Sequence, residues 1–385
     1  MAGYNPKGLS IESKVVHGNS SSDDKTGAVS FPIYQSATFR HPALNETTGY
    51  DYSRIQNPTR EELERTIAIL ENGAHGFAFS SGMAAVSAVF ELFAPGDHFV
   101  VSDDLYGGTY RYFNEVLLKR GFSFSYVDTS DLVEVKENLT AYTKAIFIET
   151  PTNPMMKIAD IQEICKIANQ KDVLTIVDNT FLTPYFQRPL EHGADIVIHS
   201  GTKYLGGHND TLAGLVVVND TVLADGIALN QKTFGGVLAP FDSWLILRGI
   251  KTLSIRLEKQ QASALKIATW LKTQPKVEKV YYAGLPESEG FDVLRKQSTG
   301  FGGMISFTVK NIDTVEQLLE RVGLIMYAES LGGVESLITY PMVQTHSAIP
   351  ECVRVRLGVN ERLLRLSVGI ESVDDIISDL EQAMK

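Results

Sequence analysis

The stretch Ile196-Val197-Ile198-His199-Ser200-Gly201-Thr202-Lys203 decides the fold. Its apolar start is typical of a buried strand, and the polar residues that follow mark the point where the strand ends. In a parallel sheet covered by helices on both faces, ligands bind at the carboxyl ends of the strands. Lys203 is therefore expected at a ligand-binding edge and not on a solvated helix face. Burial lowers the pKa of a lysine and makes its amine nucleophilic, as Schiff-base chemistry requires.

Further apolar runs of strand length lie on both sides of this stretch, and helical patterns separate most of them. In the segment 83–93, for example, Val86, Val89 and Phe90 share one helix face. Continuous apolar strands that alternate with helices predict an α/β fold with a mostly parallel sheet. The runs are 77–79, 99–101, 122–127, 145–148, 173–177, 196–198 and 215–218.

The chain divides into three parts by its pattern. Residues 1–56 are rich in turn formers, include a polar loop at 19–24, and read as an arm that needs another surface to lie on. Residues 57–245 hold the apolar runs and open with a helix at 59–70. Residues 246–385 read as a smaller α/β domain. A long helical region, 241–271, leads into it. Its strands are at 277–282, 304–309 and 364–368, and its helices are at 314–322 and 373–384.

Composition excludes several classes of protein. A net charge of -11 over 385 residues argues against a nucleic-acid-binding or anionic membrane-binding surface. The segment 1–14 has no signal-peptide core, and no stretch has the length and apolar character of a membrane span. Cys165 and Cys352 are too few for a disulfide framework and are not spaced as metal ligands, so we predict two buried thiols, a cytoplasmic location and no metal site.

Three groups of polar residues follow the predicted strands. Ser81-Gly82-Met83 stands at a helix start, where backbone N–H groups and the helix dipole favour a phosphate. Asp178 ends the run 173–177, and a buried carboxylate there needs a partner such as a protonated ring nitrogen or a salt bridge. Ser200 and Thr202 flank Lys203 with hydroxyl groups. Each feature alone has an ordinary structural explanation, but together they supply every contact that pyridoxal 5′-phosphate needs.

The sequence resembles the Cys/Met-metabolism family of pyridoxal-phosphate enzymes over nearly its whole length. The resemblance implies the aspartate-aminotransferase-like fold (fold type I) and the cofactor pyridoxal 5′-phosphate. It rests on ordered motifs, which are Tyr52-Ser53-Arg54 followed by Asn57-Pro58-Thr59-Arg60, Ser81-Gly82-Met83-Ala84, Asp104-Leu105-Tyr106-Gly107-Gly108-Thr109, Glu149-Thr150-Pro151-Thr152-Asn153-Pro154, Val177-Asp178-Asn179-Thr180, the segment 200–210, Ala328-Glu329-Ser330-Leu331-Gly332-Gly333 and Arg365-Leu366-Ser367-Val368-Gly369.

The resemblance also implies roles for single residues. Lys203 matches the lysine that carries the cofactor, Asp178 the partner of its ring nitrogen, and Tyr106 the aromatic ring stacked on it. Arg365 matches the clamp on the substrate α-carboxylate, a task suited to a guanidinium. The phosphate site corresponds to Gly82, Met83, Ser200 and Thr202, and the helpers of Arg365 to Asn153 and Ser330. Tyr52 and Arg54 match residues that reach the neighbouring subunit's phosphate, so a homotetramer (a dimer of dimers) with shared sites is expected.

Within the family, the segments 204–210 and 332–336 are most similar to cystathionine γ-synthase and O-acetylhomoserine sulfhydrylase. The expected reaction is γ-replacement on an O-acyl-homoserine by cysteine or sulfide, in methionine biosynthesis. A cystathionine γ- or β-lyase is the alternative, and Gly108 counts against a methionine γ-lyase, which typically carries cysteine there. Asp51 and Glu329 match positions that face the distal end of these small amino-acid substrates. The acyl group and the thiol stay open at this stage.

Overall fold

The computed structural model describes residues 5–6, 8–20, 25–347 and 349–385. Part of the polar loop predicted at 19–24, namely residues 21–24, lies outside the described residues. Within the described residues, no helix is both long enough and apolar enough to cross a membrane.

A seven-stranded sheet lies at the centre of the larger part of the molecule, with strand order β1-β7-β6-β5-β4-β2-β3. Every apolar run predicted from the sequence belongs to one of its strands. These are β1 (His75–Phe79), β2 (His98–Ser102), β3 (Ser123–Val127), β4 (Thr143–Glu149), β5 (Leu174–Asp178), β6 (Ile196–Ser200) and β7 (Gly214–Val218).

The sheet is parallel except for β7, which runs antiparallel to both of its neighbours. The mostly parallel sheet that the sequence predicts is confirmed, and β7 is the exception among the described strands. The segment 201–213 that joins β6 to β7 contains no helix, and a parallel neighbour would require a longer crossover connection. The chain therefore turns back directly after Lys203, which keeps that lysine at the edge of the sheet.

Alternate residues of the central strands point to opposite faces of the sheet, and both faces are covered. The sequences of these strands are therefore continuously apolar. Phe99 and Phe147 pack in the core on one face, whereas Val100 and Ile146 pack in the core on the other. The helices that cover the sheet and precede it are α1 (Ile11–His17), α2 (Pro58–Leu70), α3 (Gly82–Phe90), α4 (Gly107–Tyr112), α5 (Leu132–Glu137), α6 (Ile161–Asn169), α7 (Thr183–Phe186), α8 (Thr221–Phe234) and α9 (Pro240–Ile250), with a π-helix at Phe113–Leu117 and 3₁₀ turns at Leu118–Arg120 and Pro189–His192.

The bounds of α2 follow from its local sequence. The Asn57 side chain accepts hydrogen bonds from Thr59 N at 3.0 Å and Arg60 N at 3.5 Å, and Pro58 occupies the first helical position. At the other end, Asn72 adopts φ 54 and Gly73 N bonds to Ala68 O at 2.7 Å. The helix end predicted at residue 70 is confirmed.

A second, five-stranded sheet lies in the C-terminal part, with order β10-β11-β12-β9-β8, and it is antiparallel except between β10 and β11. Its strands are β8 (Val277–Tyr281), β9 (Met304–Val309), β10 (Met326–Tyr327), β11 (Leu337–Thr339) and β12 (Leu363–Ser367). The helices are α10 (Leu253–Leu271), α11 (Phe291–Gln297), α12 (Ile312–Arg321), α13 (Glu351–Leu357) and α14 (Val373–Ala383).

Three expectations for this part need correction. The helical region at 241–271 is two helices, α9 and α10, that break at Lys251 and Thr252. The elements β10, β11, α11 and α13 were not predicted, because they are too short for a clear period. Cys165 is buried as predicted, but Cys352, at the second position of the short helix α13, is exposed. The domain bounds stay predictions.

The N-terminal arm is held to the rest of the chain near α1 and again at the start of α2, where Tyr34 N donates to Thr59 Oγ1 at 2.8 Å and Arg60 Nη1 donates to Ser53 O at 2.6 Å. Val15 of α1 is buried, the Ser20 hydroxyl donates to Glu62 at 3.0 Å, and Lys251 Nζ donates to Val16 O at 2.6 Å. Between these contacts, Val29 is 80% exposed and Leu44 is 90% exposed. Apolar side chains of this size at the surface are consistent with an arm that lies on another surface.

Candidate functional site

A cavity of about 200 Å³ lies at the carboxyl ends of the large sheet's strands, and residues of the C-terminal part complete its wall. Most residues that the sequence singled out line it together. They are Gly82, Met83, Tyr106, Asn153, Asp178, Ser200, Thr202, Lys203, Glu329, Ser330 and Arg365.

The Lys203 amine is held inside this cavity with a lowered pKa. Its Nζ donates to Ser330 Oγ at 2.8 Å. Burial, and secondly the charge of Arg365, lower the pKa of Lys203 to about 8. At neutral pH about a tenth of such an amine is uncharged, far more than for an exposed lysine. Lys203 can therefore act as a nucleophile and exchange a proton near physiological pH.

Arg365 stands in β12 with its guanidinium buried and only 1% of the residue exposed. Nη1 donates to Asn153 Oδ1 at 2.8 Å, while Nη2 donates to Ser330 O at 2.9 Å and Thr339 Oγ1 at 3.2 Å. Burial lowers the pKa of Arg365 to about 10, so the group stays charged at neutral pH. Among the described residues, Nε has no hydrogen-bond partner and no carboxylate forms a salt bridge with this cation. A buried cation in this state favours an anionic ligand.

Ser330 joins these two residues through an uncommon backbone geometry. Its φ is 99°, a left-handed value that costs free energy for a residue with a side chain. The carbonyl of Ser330 accepts from Arg365, and its hydroxyl accepts from Lys203. The strained residue therefore sets the positions of two cationic groups relative to each other.

Asp178 ends β5 and is fixed by a short chain of hydrogen bonds. Its Oδ1 accepts from Thr180 N at 3.0 Å and from Thr180 Oγ1 at 2.5 Å. The same hydroxyl oxygen accepts from Ser200 N at 2.8 Å, which links β5 to β6. Burial raises the pKa of Asp178, and the two Thr180 bonds oppose that shift. The carboxylate is thus held in the cavity and oriented for a cationic partner.

The start of α3 forms a concave surface opposite Ser200. The Ser81 hydroxyl accepts from Ala84 N at 3.1 Å, and a Cβ on Gly82 would come within 3.2 Å of the Ser200 Cβ. Glycine is needed here to keep that space open, and the N–H groups of the first turn face it. The helix start with Ser200 and Thr202 suits a phosphate, Asp178 suits a protonated ring nitrogen, and Lys203 suits an aldehyde. The described residues therefore fit pyridoxal phosphate.

Three predicted site residues do not line the cavity of their own chain. Tyr52 is 45% exposed. Arg54 Nη1 donates to Lys232 O at 2.6 Å, and its guanidinium lies 5.6 Å from the Tyr52 ring centroid. Asp51 contacts Thr47 Oγ1 at 3.2 Å and His41 Nε2 at 3.2 Å. All three belong to the arm, so their predicted roles require a second subunit.

The structure adds residues that sequence reasoning did not assign. Glu149 and Thr180 line the cavity, and the rule that led to Asp178 could have found Glu149, which directly follows an apolar run. His346 is fully buried, with Nε2 3.0 Å from Asn153 O. Burial, and then the charge of Arg365, lower the pKa of His346 to about 4, so the ring is neutral and Nε2–H donates to that carbonyl. No local pattern marks His346.

Comparison with known proteins agrees with this geometry. Residues 12–385 match the family described as Cys/Met metabolism PLP-dependent enzyme. The chain is 50% identical over 376 residues to the cystathionine beta-lyase of Lactococcus lactis subsp. cremoris (strain MG1363), covering 98% of this chain and 99% of that protein. It is 51% identical over 374 residues to the cystathionine gamma-synthase/O-acetylhomoserine (thiol)-lyase of Bacillus subtilis (strain 168). That match covers 97% of this chain and 96% of that protein.

A solved structure extends the likeness to the whole fold. The crystal structure of cystathionine gamma-lyase from Lactobacillus plantarum complexed with L-serine has a TM-score of 0.94 and 47% sequence identity, and covers 97% of this chain and 98% of that one. The chain therefore belongs to the Cys/Met-metabolism family of PLP-dependent enzymes, and it is a trans-sulfuration enzyme of fold type I.

Proposed function

We propose that this enzyme catalyses γ-replacement on an O-acyl-homoserine, with cysteine as the preferred thiol and sulfide as the simpler one. The observation that carries the proposal is the presence of Arg365 and Glu329 on one cavity. A guanidinium without a carboxylate partner suits the α-carboxylate of an amino acid, and a carboxylate suits an ammonium group. The acyl-homoserine brings the α-carboxylate that Arg365 binds, and cysteine brings the ammonium group that Glu329 binds, whereas sulfide has no ammonium group.

The residues of the cavity have separate tasks in this proposal. Pyridoxal phosphate supplies an aldehyde that condenses with amines and a ring that accepts electrons when the α-proton leaves. Gly82, Met83, Ser200 and Thr202 hold its phosphate, and Asp178 holds its ring nitrogen protonated. Lys203 Nζ binds the cofactor between turnovers, takes the α-proton of the substrate, and moves protons so that the γ-acyloxy group leaves.

The substrate is oriented by residues from both parts of the chain. Arg365 binds the α-carboxylate, and the Asn153 amide and the Ser330 carbonyl hold the guanidinium in place. Tyr106 provides a face for the cofactor ring. Glu329, and Asp51 of a neighbouring subunit, bind the ammonium of cysteine at the distal end.

The arm supports an oligomer with shared active sites. Tyr52 and Arg54 carry polar groups suited to a phosphate, yet they lie outside the cavity of their own chain. We propose that they complete the phosphate site of a neighbouring subunit, in a homotetramer built as a dimer of dimers.

A cystathionine lyase is the second candidate. The relatives from L. lactis and L. plantarum are named as a β-lyase and a γ-lyase, at 50% and 47% identity. A site that binds cystathionine as a product can also bind it as a substrate, because the same charged groups contact it in both directions.

Product analysis separates the two candidates. Purified enzyme is given O-acetyl- or O-succinyl-homoserine with cysteine or sulfide, or cystathionine alone, and products are identified by mass spectrometry. We expect cystathionine to form from an acyl-homoserine and cysteine faster than it is cleaved. Faster release of homocysteine with pyruvate, or of cysteine with 2-oxobutyrate, would establish the lyase. Lys203→Ala protein is the control and should be inactive in every assay.

A further inference from the structure

A buried carboxyl group and a partly buried one lie side by side in the cavity. Glu149 ends β4 and Asp178 ends β5, and the two residues are in register as neighbours across these parallel strands. Both line the cavity, and Glu149 is only 6% exposed. Two carboxyl groups that share a buried site cannot both ionise at low cost, so the pair is expected to keep one proton near neutral pH.

The hydrogen bonds that the described residues make to the two carboxyl groups are unequal. Asp178 accepts two bonds, both from Thr180, and these stabilise its ionised form. Glu149 accepts one bond, from Tyr106 N at 2.9 Å. Asp104 adds a second nearby carboxyl to its surroundings, and Arg365 provides an opposing cation. Burial, and then the charge of Asp178, raise the pKa of Glu149 well above its usual range. These effects place the proton on Glu149 and the negative charge on Asp178.

The bond from Tyr106 N gives Glu149 a second task. Tyr106 immediately precedes α4, and its ring lines the cavity. Glu149 Oε2 therefore connects the end of β4 to the turn that leads from β2 into α4. Loss of this acceptor would leave the Tyr106 N–H without its partner and free the turn to shift.

We propose that Glu149 is a positioning residue of the cofactor site. It carries the one proton that the two carboxyl groups share, which leaves Asp178 ionised for the cofactor's ring nitrogen. Its carboxyl oxygen also fixes the turn that presents the Tyr106 ring. This inference rests on the role proposed above for Asp178.

Infrared difference spectroscopy of the holoenzyme tests where the proton lies. At pH 7 in D₂O, the wild-type minus Glu149→Gln spectrum should contain the carbonyl stretch of a protonated carboxyl group. The surface variant Glu137→Gln, which makes the same chemical change on an exposed helix, should leave this region unchanged. If the band is missing from the wild-type minus Glu149→Gln spectrum, or appears in wild type minus Asp178→Asn instead, the assignment of the proton is wrong.

Cofactor binding tests the positioning task. Glutamine keeps an oxygen that can accept from Tyr106 N and mimics the neutral acid, so Glu149→Gln should bind pyridoxal phosphate within about threefold of wild type. Glu149→Ala removes the acceptor and should weaken binding by about tenfold, the effect of one lost buried hydrogen bond. Equal affinities of wild type, Glu149→Gln and Glu149→Ala for pyridoxal phosphate would show that Glu149 does not position the turn at Tyr106.

A different result would show that the role proposed for Asp178 is wrong. Asp178→Asn would then keep the visible absorption and affinity of bound cofactor, whatever the infrared spectra show. If Glu149→Ala does not fold, the infrared comparison and the affinity of Glu149→Gln still decide the proposal, because a more than tenfold loss of affinity in that variant would also contradict it.

Discussion

At the residue scale, the uncharged fraction of Lys203 governs how fast the enzyme can capture its cofactor. Only the neutral amine attacks an aldehyde, and this fraction grows as pH rises through the pKa of about 8. We expect the rate of pyridoxal phosphate capture by apoenzyme, followed by stopped-flow absorption, to increase with pH and reach half of its maximum near 8.

Arg365→Gln provides the matched comparison, since the charge of Arg365 helps to lower the pKa of Lys203. Removal of that charge should move the half-maximal rate to higher pH. A midpoint that is unchanged in the variant, or that lies near the ordinary lysine value in wild type, would contradict this account.

The planar geometry of the Arg365 guanidinium, as distinct from its charge, should act on substrate binding and not on cofactor binding. Lysine keeps the charge but cannot bond Asn153, Ser330 and an incoming carboxylate with one planar group. We expect Arg365→Lys to raise KM for the amino-acid substrate by about 10- to 100-fold, as for a lost charge-assisted bond. The spectrum of bound cofactor should stay unchanged. Arg362→Lys, three positions earlier on an exposed site beside Glu278, is the control and should leave KM as it is.

At the scale of elements, Asp104 connects two segments that carry site residues. It is fully buried at the end of β2, two positions before Tyr106. Its Oδ2 accepts from Thr152 Oγ1 at 2.5 Å and from Met155 N at 3.1 Å. These bonds hold the segment 151–155, which presents Asn153 to Arg365. Burial raises the pKa of Asp104 to about 6.

Asp104→Ala should loosen that segment. We expect KM for the amino-acid substrate to rise and the free energy of unfolding to fall by about 1–3 kcal/mol, because buried donors lose their partner. Denaturant unfolding and steady-state kinetics measure the two effects. Asp103→Ala, which removes the longer of the two ion pairs of Lys157, is the control and should cost less than about 1 kcal/mol, because Lys157 keeps Asp128 at 2.6 Å. Equal losses in both variants would show that Asp104 has no special role.

At the scale of the whole molecule, the arm predicts an oligomer whose active sites need two chains. A mixture of Arg54→Ala and Lys203→Ala subunits should form mixed dimers in which one of two sites is intact. Random assembly would restore about a quarter of wild-type activity. The measurement is activity after co-refolding, with assembly checked by light scattering.

The control for this experiment is a mixture in which Lys203→Ala subunits pair with subunits that carry both substitutions. No site is then complete, and the mixture should stay inactive. A monomeric protein, or inactive mixed dimers in the first experiment, would show that Arg54 does not act across subunits.

The sequence alone was sufficient wherever the signal is local. Apolar runs placed all strands of the large sheet, and the polar residues after them identified Lys203, Asp178 and the turn at Ser81-Gly82-Met83. This works because the end of a buried strand is marked by adjacent residues, and the carboxyl ends of parallel strands meet at one edge. Arg365 and Asn153 were identified by the resemblance to a family, because no local pattern marks them.

Only the tertiary structure decided what depends on distant contacts. The reversed direction of β7 follows from the missing crossover, and the bond between Arg365 and Asn153 joins residues 212 positions apart. The neutral His346 and the carboxyl pair of Glu149 and Asp178 depend on burial and on neighbours from other elements. A sequence shows which groups can ionise, but the fold sets their distances and exposure, and these determine which group holds the charge.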